Sequence, residues 1–158
     1  MASESTSDFD KMIEELQQEI LEREKALYSE VVRREANAPK NFGKMTDADL
    51  HGVVHGWCGD TMEIYLQVDD DDRIQEATFT TDGCGATLAC GSMLTQMVTG
   101  MELEKAEWVL PEDLANVLEG LPEEHMHCAD LAVSTLQNAL FNWRVSQMEA
   151  DKERNERG

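Results

Sequence analysis

The hydrophobic period changes twice along this chain, from the helical value of about 3.6 residues to about 2 and back, so no single type of element can account for it. Over the first 40 residues Phe9, Ile13, Leu16, Ile20, Leu27 and Val31 recur at helical spacing. Ser7, with Asp10 three residues on, resembles a capping box at the start. Asn37-Ala38-Pro39 ends the run, because a residue before proline is pushed out of the α region. One long helix packed along the domain is expected. Arg23 and Glu30 fall where sustained heptads would want apolar side chains, which counts against a long coiled coil. A two-heptad contact between two copies, through residues 9–20, is the alternative.

The period then shortens. Met62, Ile64, Leu66 and Val68 alternate with Glu63, Tyr65 and Gln67, the pattern of a half-buried strand. Residues 69–72 are four aspartates and read as a turn, leading into a second extended segment over 74–81. Residues 51–57 supply a third strand. Helical spacing returns from Ala86, through Leu88, Met93 and Met97, then over residues 111–118, and finally from near His125 through Leu131, Leu136, Leu140 and Trp143. The order predicts an α+β fold: a long N-terminal helix, a small three-stranded antiparallel sheet, then C-terminal helices packed on it. The organisation follows as a helical extension over 1–40, a domain over 41–148 and a charged tail over 149–158.

Composition narrows the function. The 158 residues suit one domain, and a hydrophobic share of 41% is enough for a core. Against 33 acids stand 13 bases, a net charge of -20, which argues against nucleic acid and anionic membrane as partners. The middle segment carries 19 of the acids and 4 of the bases, so it is the acidic body. No apolar run approaches the length of about 20 residues that spans a bilayer. The first residues have neither the basic nor the apolar stretch of a secretion signal, so a cytoplasmic protein is expected. Four cysteines this far apart do not make a disulfide scaffold, and metal or thiol chemistry is the better expectation.

Three of those cysteines fall at element boundaries. Cys58-Gly59-Asp60 lies between two predicted strands, where positions i and i+2 of an extended segment face one side and could converge on one ion. Gly83-Cys84-Gly85 joins the last strand to a helix, with glycines that allow positive φ and remove bulk. His127-Cys128 falls at the start of the last helix, where free N–H groups and the dipole favour a thiolate. Each alone is weak evidence, and Gly83-Cys84-Gly85 taken singly reads better as a strand-to-helix turn holding a buried cysteine. Together they offer three sulfurs, an imidazole and a carboxylate, a set suited to tetrahedral zinc or an iron–sulfur cluster.

Cys-Gly-Asp, then a strand–Gly-Cys-Gly–helix junction, then Leu-Pro-Glu-Glu-His-Met-His-Cys opening a final helix closely resembles the IscU/NifU-type scaffold family of iron–sulfur cluster assembly, over residues 26–143. The resemblance implies a scaffold rather than a turnover enzyme. A cluster, 2Fe–2S in the first instance and 4Fe–4S as the alternative, would be built on Cys58, Cys84 and Cys128 and handed to apo-acceptor proteins. His127 and Asp60 complete the implied metal-ligand set, with Asp60 where the family's aspartate influences cluster lability. Implied partners are a PLP-dependent cysteine desulfurase, a frataxin-like iron donor, a ferredoxin and the acceptors, with a homodimer as one arrangement. Cys128, at a helix start beside His127, is the expected sulfur-receiving thiol, with a lowered pKa.

The departures bear on partners. Zinc-dependent, sulfur-accepting SufU-like relatives carry an insertion between the second and third cysteines and lack the histidine. Here the interval is 44 positions, with no obvious insertion, and His127 is present. A zinc-bound sulfurtransferase partner of the desulfurase, with Zn2+ on the same residues, is therefore the alternative, and a structural zinc module the third reading. The Leu-Pro-Pro-Val-Lys stretch that a specialised Hsp70 recognises in many members reads Leu121-Pro122-Glu123-Glu124-His125, which counts against that chaperone. Cys90 is expected as a core thiol, His51 and His55 as surface residues, and His125 as an exposed first-turn residue with a spare-ligand role as the sharper reading.

Overall fold

Ser29 interrupts what the periodicity predicts as one helix. In a computed structural model, which describes residues 2–158 with side chains from residue 7, helix α1 spans Ala2–Leu27 and helix α2 spans Glu30–Asn37. Ser29 caps α2: its Oγ accepts from the Val32 amide at 3.0 Å and donates to the Leu118 carbonyl at 2.5 Å. The break follows from that competition, since a serine hydroxyl offers the backbone an alternative partner. The capping box expected at Ser7 does not start a helix, because Ser7 already lies within α1. Nor does α1 pack along the domain. Every residue from 7 to 27 is exposed, including Phe9, Ile13, Leu16 and Ile20. The apolar stripe is real, and the rest of the described chain does not cover it.

Strands β1 (Leu50–His55), β2 (Thr61–Val68) and β3 (Ile74–Thr81) form an antiparallel sheet in the order β1-β2-β3. The predicted β2 alternation puts Met62, Ile64 and Leu66 in the core, with Ile64 opposite Gly52 on one side and Phe79 on the other. On the outer face His51 stacks on Tyr65 and reaches Glu63 at 3.2 Å. The aspartate turn is a hairpin: Asp69 Oδ1 accepts from the Asp71 and Arg73 amides, both at 2.9 Å.

Four helices follow: α3 (Gly85–Val98), α4 (Leu103–Ala106), α5 (Pro111–Val117) and α6 (Met126–Arg157). Helix α6 crosses β1 and β2, α3 lies on β3 and α6, and α2 packs against α3. The approach of α6 is set by Gly52, where a Cβ would stand 2.4 Å from the Thr135 carbonyl oxygen and 2.6 Å from the Ala139 amide. The mixed-charge residues 149–157 continue α6 as exposed helix. No described helix is long and apolar enough to cross a membrane. The packing brings the β3–α3 junction and the start of α6 to the same end of the sheet, beside the break between α1 and α2.

Candidate metal centre

Cys84 is the N-cap residue of α3, and Cys128 is the third residue of α6. Cys84 is exposed at the surface, and Cys128 is fully buried. Gly83 makes the junction fit by its size rather than by its torsion. Its φ is not positive, but a Cβ there would meet Thr87 Cβ at 2.7 Å. Thr87, one turn into α3, stands at the middle of the site. Its hydroxyl is 3.4 Å from Asp60 Oδ2, 3.4 Å from Cys128 Sγ and 3.6 Å from Cys84 Sγ. A hydroxyl has one proton, so it donates to one of these acceptors at a time and can accept from a thiol.

His125 completes the inner group. One donor atom each from Cys84, His125 and Cys128 lies within 4.8 Å of the others. An ion centred in a triangle of that size would be about 2.8 Å from each atom, so closing by about 0.5–0.8 Å reaches zinc bonds of about 2.3 Å to sulfur and about 2.0–2.1 Å to nitrogen. His125 Nε2 is held by the Tyr28 hydroxyl at 2.8 Å, and its Nδ1 is buried without a hydrogen-bond partner. Tyr28 occupies the break between α1 and α2. Burial, with Cys84 and Cys128 adding, pushes its phenol above the ordinary range, so near neutral pH it stays a hydroxyl, able to donate to Nε2 or, in the Nε2–H tautomer of the ring, to accept from it.

The other expected ligands stand outside that group. Cys58 is exposed on the β1–β2 loop, in a cleft with Trp57, His127 and Asp130. Gly59 has φ 95, so Cys58 and Asp60 are not neighbours on an extended face, and Asp60 turns instead to Thr87. His127 Nε2 lies 3.6 Å from Cys128 Sγ, and its ring is 5.3 Å from that of Trp57. Two histidines therefore flank Cys128 from different clefts: His127 with Cys58, and His125 with Tyr28 and Cys84.

The thiols differ in a way the sequence did not predict. Burial pushes Cys128 up to about 11, with the Thr87 hydrogen bond opposing and Cys84 and Asp60 adding. The helix start does not lower it, because the sulfur is sealed beneath the surface rather than set at an open terminus. At Cys84 partial burial acts upward, but hydrogen bonds from the Thr87 side chain and amide, the Ala86 amide and Cys128 carry the thiol below its ordinary value. Cys90 is fully buried, and burial, with the charges of Cys128 and Cys84, pushes it well up, as a core thiol should be. Residue types alone gave no sign of Thr87 or Tyr28. His125 carried a signal only in its two-residue spacing from His127.

The structure is a small α+β domain in which two cysteines and a histidine converge where β3 meets α3, a group that could hold a metal ion. Residues 27–150 match the NifU-like N-terminal domain, and the chain belongs to that family. It is 39% identical over 127 residues to iron–sulfur cluster assembly scaffold protein IscU 1 of Archaeoglobus fulgidus, covering 80% of this chain and 82% of that one. It is 39% identical over 129 residues to nitrogen fixation protein NifU of Azotobacter chroococcum, covering 80% of this chain but 42% of that longer protein. The fold is shared with the crystal structure of FiSufU, of the SUF system of Fervidobacterium islandicum, at a TM-score of 0.58 and 20% identity, over 72% of this chain and 96% of that one.

Proposed function

We propose that the protein is a scaffold on which an iron–sulfur cluster is assembled and from which it passes to apo-acceptor proteins. The observation that carries this reading is the convergence of Cys84, Cys128 and His125 beside Asp60, in a member of a family whose relatives are named as such scaffolds. Soft thiolates hold iron and sulfide. A carboxylate or imidazole is the weaker partner that lets the cluster leave. Cys58 is the third thiolate, joining as its exposed loop closes over the cleft it shares with His127. A 2Fe–2S cluster needs four ligands, and Asp60 or a histidine supplies the fourth.

Sulfur enters as a persulfide on a cysteine desulfurase. A thiolate of this chain attacks the outer sulfur, the donor's S–S bond breaks, and the desulfurase cysteine leaves as thiolate. Reducing that sulfur to sulfide takes two electrons, from a ferredoxin-type donor, and a frataxin-like donor brings iron. Cys84, exposed and with its thiolate favoured, is the receiving thiol, in place of the buried Cys128 that the sequence suggested. Anaerobic addition of ferrous iron and sulfide should give visible sulfur-to-iron charge-transfer absorption, lost in Cys84→Ser. Wild-type protein that stays colourless under those conditions refutes the scaffold reading.

A zinc-bound sulfur acceptor is the second reading, favoured by the one-nitrogen, two-sulfur composition of the inner group. It predicts colourless protein that holds zinc tightly and speeds desulfurase turnover. In the first reading the chain turns over no substrate of its own.

A further inference from the structure

We propose that His125, rather than His127, is the imidazole that joins Cys84 and Cys128 on a divalent metal ion, with Tyr28 as the residue that positions it. The proposal rests on the reading of Cys84 and Cys128 as ligands and adds to it the identity of the nitrogen donor.

Three observations carry it. The donor atoms of Cys84, His125 and Cys128 are mutually within 4.8 Å, and His127 is not in that group. His125 Nδ1 is buried with no partner while Nε2 is fixed by Tyr28 at 2.8 Å, which leaves one ring nitrogen held and the other unspent. Metal-bound histidines are commonly oriented in this manner, by a hydrogen bond at the nitrogen that does not ligate. The two histidines also occupy different clefts, His125 with Tyr28 and Cys84, His127 with Trp57 and Cys58. Two thiolates neutralise the charge of a divalent ion. Binding expels one proton each from Cys84 and Cys128 and needs none from a neutral imidazole. The break at Ser29 thereby gains a role, since it sets Tyr28 over the ring of His125.

The test uses the full chain, stripped with chelator, and Zn2+ alone as probe. Long-range proton–nitrogen spectra of 15N-labelled protein report each histidine ring separately. One equivalent of Zn2+ should move a ring nitrogen of His125 to the metal-bound position and leave His127 where it was. A competition titration with a chromophoric chelator should show zinc affinity falling by more than about 100-fold in His125→Ala and by about tenfold in Tyr28→Phe, the usual size of a loss at an orienting partner. Tyr28→Phe keeps the ring packing, so it remains informative if His125→Ala fails to fold. Metal-bound shifts on His127 alone, or zinc affinity unchanged in Tyr28→Phe and in a folded His125→Ala, overturns the proposal. Failure of wild-type protein to form a cluster from iron and sulfide refutes the scaffold reading but leaves the zinc result standing, so the two failures are distinguishable.

Discussion

Thr87→Val keeps the shape of the side chain and removes a hydroxyl within reach of Asp60, Cys84 and Cys128. In the metal-free protein the wild-type Cys84 should alkylate first with iodoacetamide near neutral pH, because it is exposed and its thiol lies below the ordinary value. Cys128 should lag far behind. With its thiol up at about 11, roughly one molecule in a thousand holds that thiolate at pH 8, and the sulfur is also closed off from solvent. Thr87→Val should slow the Cys84 reaction several-fold by withdrawing a hydrogen bond from its thiolate. Peptide mass spectrometry after brief labelling measures both, and equal rates at the two cysteines would contradict this ranking. The cysteines themselves were legible as ligands, since three sulfurs at three boundaries need no structure to notice. Their ranking was not, because it depends on burial, and nothing at the start of α6 announces that α3 closes over Cys128.

At the scale of elements, the strands and helices α3, α5 and α6 were legible from period alone, because their apolar residues meet a core, whereas α4 lies where the sequence reads as a short turn. The break between α1 and α2 was not, although Ser29-Glu30 is a helix-start signal, because the apolar spacing from Leu27 to Val31 runs through it. Helix α2 is tied to α3 by a polar contact that hydrophobic patterning could not show. Glu35 is 1% exposed and accepts from Ser92 Oγ at 2.5 Å and from Gln96 Nε2 at 3.0 Å. Burial alone would raise its carboxyl, but these hydrogen bonds, with Arg34, bring it below the ordinary glutamate value. A carboxyl depressed in the folded state stabilises fully above its unfolded pKa, and that stabilisation is lost as the pH falls through its folded value. Wild-type protein should therefore lose more stability than Glu35→Gln between about pH 7 and about pH 3, across the ordinary carboxylate range. Urea midpoints across that range would show it. Parallel curves for the two proteins would mean that the carboxylate contributes nothing specific.

Across the whole molecule the dominant feature is unbalanced charge. The chain carries -20, and among the described residues four acids stand in ion pairs with arginine: Glu35, Glu102, Glu107 and Asp151. With 33 acids to 13 bases most carboxylates must face others of their own sign, four of them consecutive in the turn at 69–72. Folding draws these charges together, and self-repulsion of this kind costs stability at low ionic strength. Salt shortens the range of that repulsion from about 30 Å at 0.01 M to about 3 Å at 1 M. These pairs are weakened too, but those at the surface contribute only about 0–1 kcal/mol each. Screening of repulsion should win. The melting temperature of the metal-free protein should therefore rise by several degrees between about 0.01 M and about 0.5 M sodium chloride, since about 1 kcal/mol corresponds to roughly 2–4 °C in a chain of this size. Chloride is chosen over sulfate so that screening is not confused with exclusion of a kosmotropic salt from the surface, and a chelator is present throughout so that trace metal does not mimic the effect. A melting temperature that stays flat or falls with salt would show that the acids are spaced widely enough for water to screen them already. A charge so placed would then matter for encounters with basic partners rather than for the stability of the fold.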